Sequence, residues 1–237
     1  MQTSFTVRLI LRIMTFEYLR QSWFFFKKNI ATLAKINLPF LLAFNILFTQ
    51  VDISTSSENS EALASSLLWM SMLNLLMMPI YWGATISFMQ STVEGPVYTV
   101  SQSLAASLKL WPKLFLVFLL TSACIFFGLM ALVIPGLYIA VRLSIADYLC
   151  VIEKKTVFES LQTSWKLTDQ YGWTIFQGVA FILCAILITK TLVYSLLETY
   201  LSQLSVLNPI INSAFDLLNV LVMIYGYRIY CLIKQEL

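Results

Sequence analysis

Long stretches free of any charge alternate with short charged clusters along this chain, and that alternation predicts helices that cross a membrane. Residues 114–134 carry no charged side chain, 32 residues separate Glu61 from Glu94 without one, and 20 more lie between Asp169 and Lys190. At about 1.5 Å of rise per helical residue, roughly 20 such residues cover the ~30 Å hydrocarbon core of a bilayer. Charges and helix breakers divide the chain into six spans, at about 32–51, 63–91, 114–134, 137–152, 172–194 and 207–233. Lys35 near the start of the first can snorkel to the headgroups. Pro79 lies inside the second, and Pro135-Gly136 predicts a tight hairpin between the third and fourth.

The charges between the spans are sorted by sign. Arg8, Arg12, Arg20, Lys27, Lys28 and Lys35 precede or enter the first span, whereas the next connection holds Asp52, Glu58 and Glu61. Lys109 and Lys113 precede the third span, Lys154, Lys155 and Lys166 follow the fourth, and Arg228 and Lys234 close the chain; only Lys190 falls near the other side. Basic residues concentrate in cytoplasmic loops, so this order places both termini in the cytoplasm of an inner-membrane protein. The first residues do not read as a cleaved signal peptide, because charges interrupt their apolar run. Met14 offers a second start site.

The segments between spans have a pattern of their own. Val157, Leu161, Ser164, Trp165 and Thr168 share one helical face, with Glu159, Gln162 and Lys166 on another, which predicts a short helix lying in the interface. Ser103-Leu104-x-x-Ser107-x-Lys109-Leu110 repeats Ser160-Leu161-x-x-Ser164-x-Lys166-Leu167, and Leu19-x-x-Ser22-Trp23 echoes it more faintly. The chain therefore reads as consecutive units, each an interfacial helix followed by a membrane hairpin.

Composition agrees with the spans: 59% of residues are hydrophobic and 11% charged, far from the balance of soluble domains. With 237 residues and six spans, a single membrane domain fills the chain. There is no His, which removes the commonest general base and metal ligand. Cys124, Cys150, Cys184 and Cys231 sit in apolar segments without a C-x-x-C pair, and the methionines of span two (Met70, Met72, Met77, Met78, Met89) read as packing and not as a copper site. No nucleophile, phosphate-loop or zinc-protease motif is present, and no basic, aromatic-interleaved face outside the membrane points to nucleic acid. Neither a cofactor nor a catalytic residue is implied.

Ionisable residues inside spans are costly and so call for partners. Arg142 and Asp147 lie in span four and Asp216 in span six, where Asn208, Asn212, Asp216 and Asn219 follow one another at spacings that share a helical face. Their depths allow Arg142 to pair with Asp216, either as an ion pair that fixes register or as part of a polar conduit with Asp147, Asn212 and Asn219. Lys113, Arg228 and Lys234, the last two among Tyr225, Tyr227 and Tyr230, are candidate contacts for lipid headgroups.

Several of these segments resemble a known family, the YciC-type proteins: Pro112-Lys113-Leu114-Phe115, Val133-Ile134-Pro135-Gly136, Ser164-x-Lys166-Leu167-Thr168 and the tail Ile224-Tyr225-x-Tyr227-Arg228-Ile229-Tyr230-x-Leu232-Ile233-Lys234-Gln235. The resemblance covers most of the chain after about Thr15. It implies a multi-pass bacterial inner-membrane protein of an uncharacterised family and no established activity. The hairpin and amphipathic helix are also similar to the membrane domain attached to some glycerophosphodiester phosphodiesterases, but no phosphodiesterase domain accompanies them here. The expectation is an all-α, six-span bundle with short cytoplasmic interfacial helices. It would act without catalysis in envelope or membrane-lipid homeostasis, through membrane lipids or other inner-membrane proteins. A small transporter using the Arg/Asp cluster is the alternative.

Overall fold

The computed structural model describes residues 2–55, 60–201 and 207–236, with side chains at 15–50, 64–196 and 207–236. The described residues form nine helices: α1 (Gln2–Thr55), α2 (Ser60–Glu94), α3 (Val100–Ala131), α4 (Val133–Arg142), α5 (Ala146–Ile152), α6 (Val157–Leu167), α7 (Gly172–Leu201), α8 (Asn208–Leu218) and α9 (Val220–Gln235). Six stretches are long and apolar enough to cross a membrane: Thr15–Gln50, Ala64–Glu94, Val100–Ala131, Val133–Ile152, Gly172–Leu196 and Asn208–Gln235. The all-α, six-span architecture expected from the placement of charges and helix breakers is the one observed. Arg8, Arg12, Met14, Asp52, Glu58 and Glu61 lie outside the residues whose side chains are described.

Two of the expected interfacial helices do not exist as separate elements. The 54 residues of α1 form one helix about 80 Å long, and α3 likewise runs unbroken from Val100 through Pro112 into the membrane. Between Lys109 and Leu114 only Pro112 opposes the helix; glycine and turn formers are absent, so nothing there stops it. The packing of α3 on α2 holds it further. Ser107 Oγ donates to the carbonyls of Pro79 (3.1 Å) and Ile80 (2.7 Å), and Trp111 Nε1 donates to that of Leu76 at 3.0 Å. The third unit behaves as expected, because α6 stands alone between α5 and α7.

The hairpin between spans three and four turns slightly earlier than Pro135-Gly136. Leu132, extended at φ −166° and ψ 157°, is the whole connection, and Pro135 falls in the first turn of α4, where a missing N–H leaves no bond unmade. Gly136 and Gly128 let the two helices touch backbone to backbone: a Cβ on Gly128 would lie 2.9 Å from the Gly136 Cα.

Spans four and six form the centre. Ile145 just before α5, Leu149 and Cys150 of α5 and Met223, Ile224, Tyr225 and Ile229 of α9 are fully buried, together with Phe26, Leu33 and Ile36 of α1 and Leu114 of α3. Span six is broken at Asn219, whose N–H returns to the Asp216 carbonyl at 3.1 Å. Buried tyrosines tie the centre across helices: Tyr148 Oη donates to the Met223 carbonyl at 2.8 Å and Tyr225 Oη to the Thr174 carbonyl at 2.7 Å. Each hydroxyl thereby meets the requirement that buried polar groups be partnered.

The Tyr225 ring lies over Gly178, where a Cβ would come within 2.0–2.4 Å of it. The ring cannot retreat without breaking its bond to Thr174. Gly178→Ala is therefore expected to cost at least about 1–3 kcal/mol through overpacking. Heat unfolding of the detergent-solubilised protein reads this directly, and an unchanged midpoint would show that α7 and α9 do not pack this closely.

Candidate lipid-contact sites

The fourth span breaks after Arg142, and this break organises the polar groups around it. Leu143, Ser144 and Ile145 form a turn in which the Ala146 N–H goes to the Leu143 carbonyl at 3.1 Å, instead of continuing the helical bond to Arg142. The Arg142 carbonyl is taken instead by two hydroxyls of the α6 segment, Ser164 Oγ at 2.8 Å and Thr168 Oγ1 at 2.9 Å. Ser107, the matching serine of the repeat, likewise caps carbonyls of the preceding membrane helix. The sequence repeat thus has a structural content in α3 and α6, where its second serine docks the helix onto the span before it, whereas Ser22 of the fainter echo donates within α1 to the Tyr18 carbonyl. Both helices also open with a capping box, Thr99 with Gln102 and Thr156 with Glu159; the threonine N–H groups donate at 2.9 and 3.0 Å. The T-x-x-Q/E spacing was the available signal.

The Arg142 side chain turns to the same neighbourhood. Nη1 meets Asp169 Oδ1 at 2.6 Å, and the guanidinium lies 5.0 Å from the Trp165 ring centroid and 5.5 Å from that of Tyr138. The expected pairing with Asp216 is corrected. Asp216 Oδ2 accepts from Asn45 Nδ2 at 2.9 Å, and the same amide reaches Ser213 Oγ at 3.1 Å. Asp147 accepts from Trp82 Nε1 at 2.7 Å and from the Tyr148 N–H at 3.0 Å, where it sits in the first turn of α5. Negative charge is favoured at a helix start. Arg142, Asp147 and Asp216 therefore have three local environments. Asn212 and Asn219 hold half-buried positions on the Asp216 stripe, apart from Arg142. Asp169, Asn45 and Trp82 are the partners that sequence reasoning missed; Asp169, a charge immediately after the amphipathic helix, was the most legible of them.

The candidate headgroup contacts gather at one end of the bundle, which also carries Lys27 and Lys28 of α1. Lys234 Nζ bridges Glu153 Oε1 at 2.7 Å, and Glu153 also holds Lys155 at 3.0 Å and accepts from Tyr230 Oη at 3.0 Å. Between these elements the chain turns through Lys154 at a positive φ of 53°. Lys113 is exposed on α3. Arg228 donates to Gln21 of α1 and lines a cavity of about 480 Å³ between α1 and α9, together with Arg20, Glu17, Phe24, Phe25 and Tyr227. A second cavity, of about 410 Å³, opens between α4 and α7 beside Arg142 and Asp169.

The profile of an uncharacterised protein family, UPF0259, matches residues 27–232, nearly the whole of this bundle. The chain belongs to that family. Among UPF0259 membrane proteins, one from Photorhabdus laumondii is 28% identical over 157 residues, covering 65% of this chain and 59% of its own length. One from Pectobacterium carotovorum is 29% identical over 153 residues, 64% of this chain and 60% of its own. One from Buchnera aphidicola is 27% identical over 180 residues, 76% of this chain and 71% of its own. The chain thus spans about three-fifths of the length of the first two relatives. No solved structure matches it. Membership agrees with the resemblance carried by the Pro-Gly hairpin and the tyrosine-rich tail.

Among the charges of this UPF0259 chain, Glu153 yields a pH dependence. Burial pushes its carboxyl up, but hydrogen bonds from Lys234, Lys155 and Tyr230 outweigh that and hold it below its ordinary value of 4.5. A carboxylate depressed in the folded state stabilises above its unfolded pKa, and that contribution fades as the pH falls through the folded value. Glu153→Gln is expected to melt earlier than wild type at neutral pH, with the gap closing as the pH drops from 4.5 to about 3. A gap that stayed constant down to there would mean that the ionised form contributes nothing.

Proposed function

We propose that this protein is a non-enzymatic component of a bacterial inner membrane that acts in envelope or membrane-lipid homeostasis by holding lipids at its basic end. Both termini face the cytoplasm in this reading. The observation that supports it is the cavity of about 480 Å³ between α1 and α9, lined by Arg228 and by Arg20, which holds the lining Glu17 at 2.9 Å, together with the apolar Phe24, Phe25 and Ile224. Cationic donors above aromatic and aliphatic side chains match a phosphate-bearing headgroup with acyl chain below it. Basic residues on the same end, Lys27, Lys28, Lys109, Lys113 and Lys155 among them, support the orientation. The transporter alternative drew on Arg142, Asp147 and Asp216 lining one path. These residues stand apart, each with its own partner, so no observation favours that reading over lipid contact.

Two measurements test the proposal. Reporter fusions after residues 100, 160 and 237 should give cytoplasmic signals; a periplasmic signal at the C-terminus would overturn the orientation. Lipids retained by the purified protein should be enriched in anionic phospholipid, and the double variant Arg20→Gln, Arg228→Gln should lower that enrichment about tenfold or more, at roughly 1 kcal/mol for each charge. Equal retention by wild type and variant would remove the α1–α9 cavity from the account.

A further inference from the structure

The groove between α4 and α7 differs from the α1–α9 cavity in chemistry. One wall is α4, through Ile134, Leu137 and Tyr138, and the other is the first turns of α7, through Trp173 and Phe176. At its head stand one cation and one anion, Arg142 and Asp169, in contact at 2.6 Å. Their surroundings are unequal. The Arg142 side chain is 9% exposed and that of Asp169 70%. The Arg142 Nε is buried without a hydrogen-bond partner. A guanidinium offers its donors as a fork suited to two oxygens of one acceptor, so a buried arginine with one bond to an exposed carboxylate and an unmet Nε is an incomplete site.

The level of the groove suits a lipid. Asp169 and Gln170 come directly before span five, and both are exposed, so the mouth of the groove lies where the bundle meets polar surroundings. Trp165 and Trp173 flank it, as aromatic residues do at membrane interfaces. From Arg142 the ten residues of α4 supply an apolar wall about 15 Å long for an acyl chain. At the mouth, Gly172 leaves room: a Cβ there would touch only Val141, at 3.5 Å.

We infer that the α4–α7 groove binds a zwitterionic phospholipid whose headgroup joins a phosphodiester to a primary ammonium, the phosphoethanolamine class. The phosphate oxygens take the fork of Arg142, Nε included. Asp169, released from the guanidinium, accepts the ammonium, and an acyl chain lies along Leu137, Ile134 and Phe176. A neutral pair of protein charges thus exchanges for two complementary pairs. A phosphoglycerol headgroup leaves Asp169 facing a phosphate without a cation between them. A phosphocholine headgroup brings a cation with no N–H to donate. The inference rests on the lipid-contact reading but concerns a different groove, and it can fail while the α1–α9 cavity stands.

The test is native mass spectrometry of the full chain in detergent with equal amounts of phosphatidylethanolamine, phosphatidylglycerol and phosphatidylcholine. Wild type should retain the ethanolamine lipid over the choline lipid by roughly tenfold, the scale of a charge-assisted hydrogen bond. Asp169→Asn alters an exposed side chain and should fold normally. It should bring ethanolamine-lipid retention down to the choline level and leave phosphatidylglycerol retention undiminished. Gly172→Leu, which fills the mouth, should lower ethanolamine-lipid retention with both charges intact. An ethanolamine preference unchanged by Asp169→Asn, or all three lipids retained equally by wild type, would overturn the inference. Loss of the preference with anionic retention still sensitive to Arg20 and Arg228 would confine the failure to this groove.

Discussion

A helix broken inside an apolar bundle exposes carbonyls that lipid cannot satisfy, and the break after Arg142 sets the arrangement of the polar half of this protein. The freed Arg142 carbonyl accepts from Ser164 and Thr168. Those two bonds fix α6 against the fourth span. With α6 in place, Trp165 and Asp169 come to the guanidinium of the same arginine, and Gly172 starts the fifth span next to Val141. One unmet backbone group thereby positions an ion pair, the Trp165 contact and the mouth of a groove. An unsatisfied buried carbonyl costs on the order of 1–3 kcal/mol, enough to select this docking over a free loop.

The same economy recurs in the other polar positions. Asn45 of α1 serves Asp216 and Ser213 of α8, Asn37 serves Thr85 of α2, and Trp82 serves Asp147. Each is a short side-chain bridge between two helices. Bonds of this kind hold helices together where apolar contact gives no preference of helix over lipid. Arg142, Asp147 and Asp216 are accordingly tied to local partners.

Much of the fold was legible because a bilayer leaves few choices. Charge-poor stretches and helix breakers mark all six spans, Pro135 and Gly136 mark the hairpin within a few residues, and the spacing of Val157, Leu161 and Trp165 marks α6. The errors were of two kinds. Amphipathic stretches before spans one and three suggest separate helices, but periodicity alone does not distinguish a helix that ends from one that continues, and no stop signal separates Lys109 from Leu114. Arg142 was assigned to Asp216 because depth along straight helices was the only guide; the break at residues 143–145 and the return of α6 bring Asp169 there instead. The partners Asn45, Trp82 and Gln21 lie 65 to 207 residues away from the groups they serve, and nothing in the local pattern marks them. The repeated serines were visible, but their role in capping the previous span's carbonyls required the packing.

The central claim is that the charges of the membrane region are satisfied separately, with Arg142 belonging to Asp169 and the α6 junction. A pair of double-mutant cycles on heat stability in detergent tests it: Arg142→Met combined with Asp169→Asn, and Arg142→Met combined with Asp216→Asn. The account predicts a coupling of about 0.5 kcal/mol or more for the first pair, modest because Asp169 is mostly exposed, and additivity within about 0.3 kcal/mol for the second. Strong coupling of Arg142 to Asp216 with none to Asp169 would contradict it.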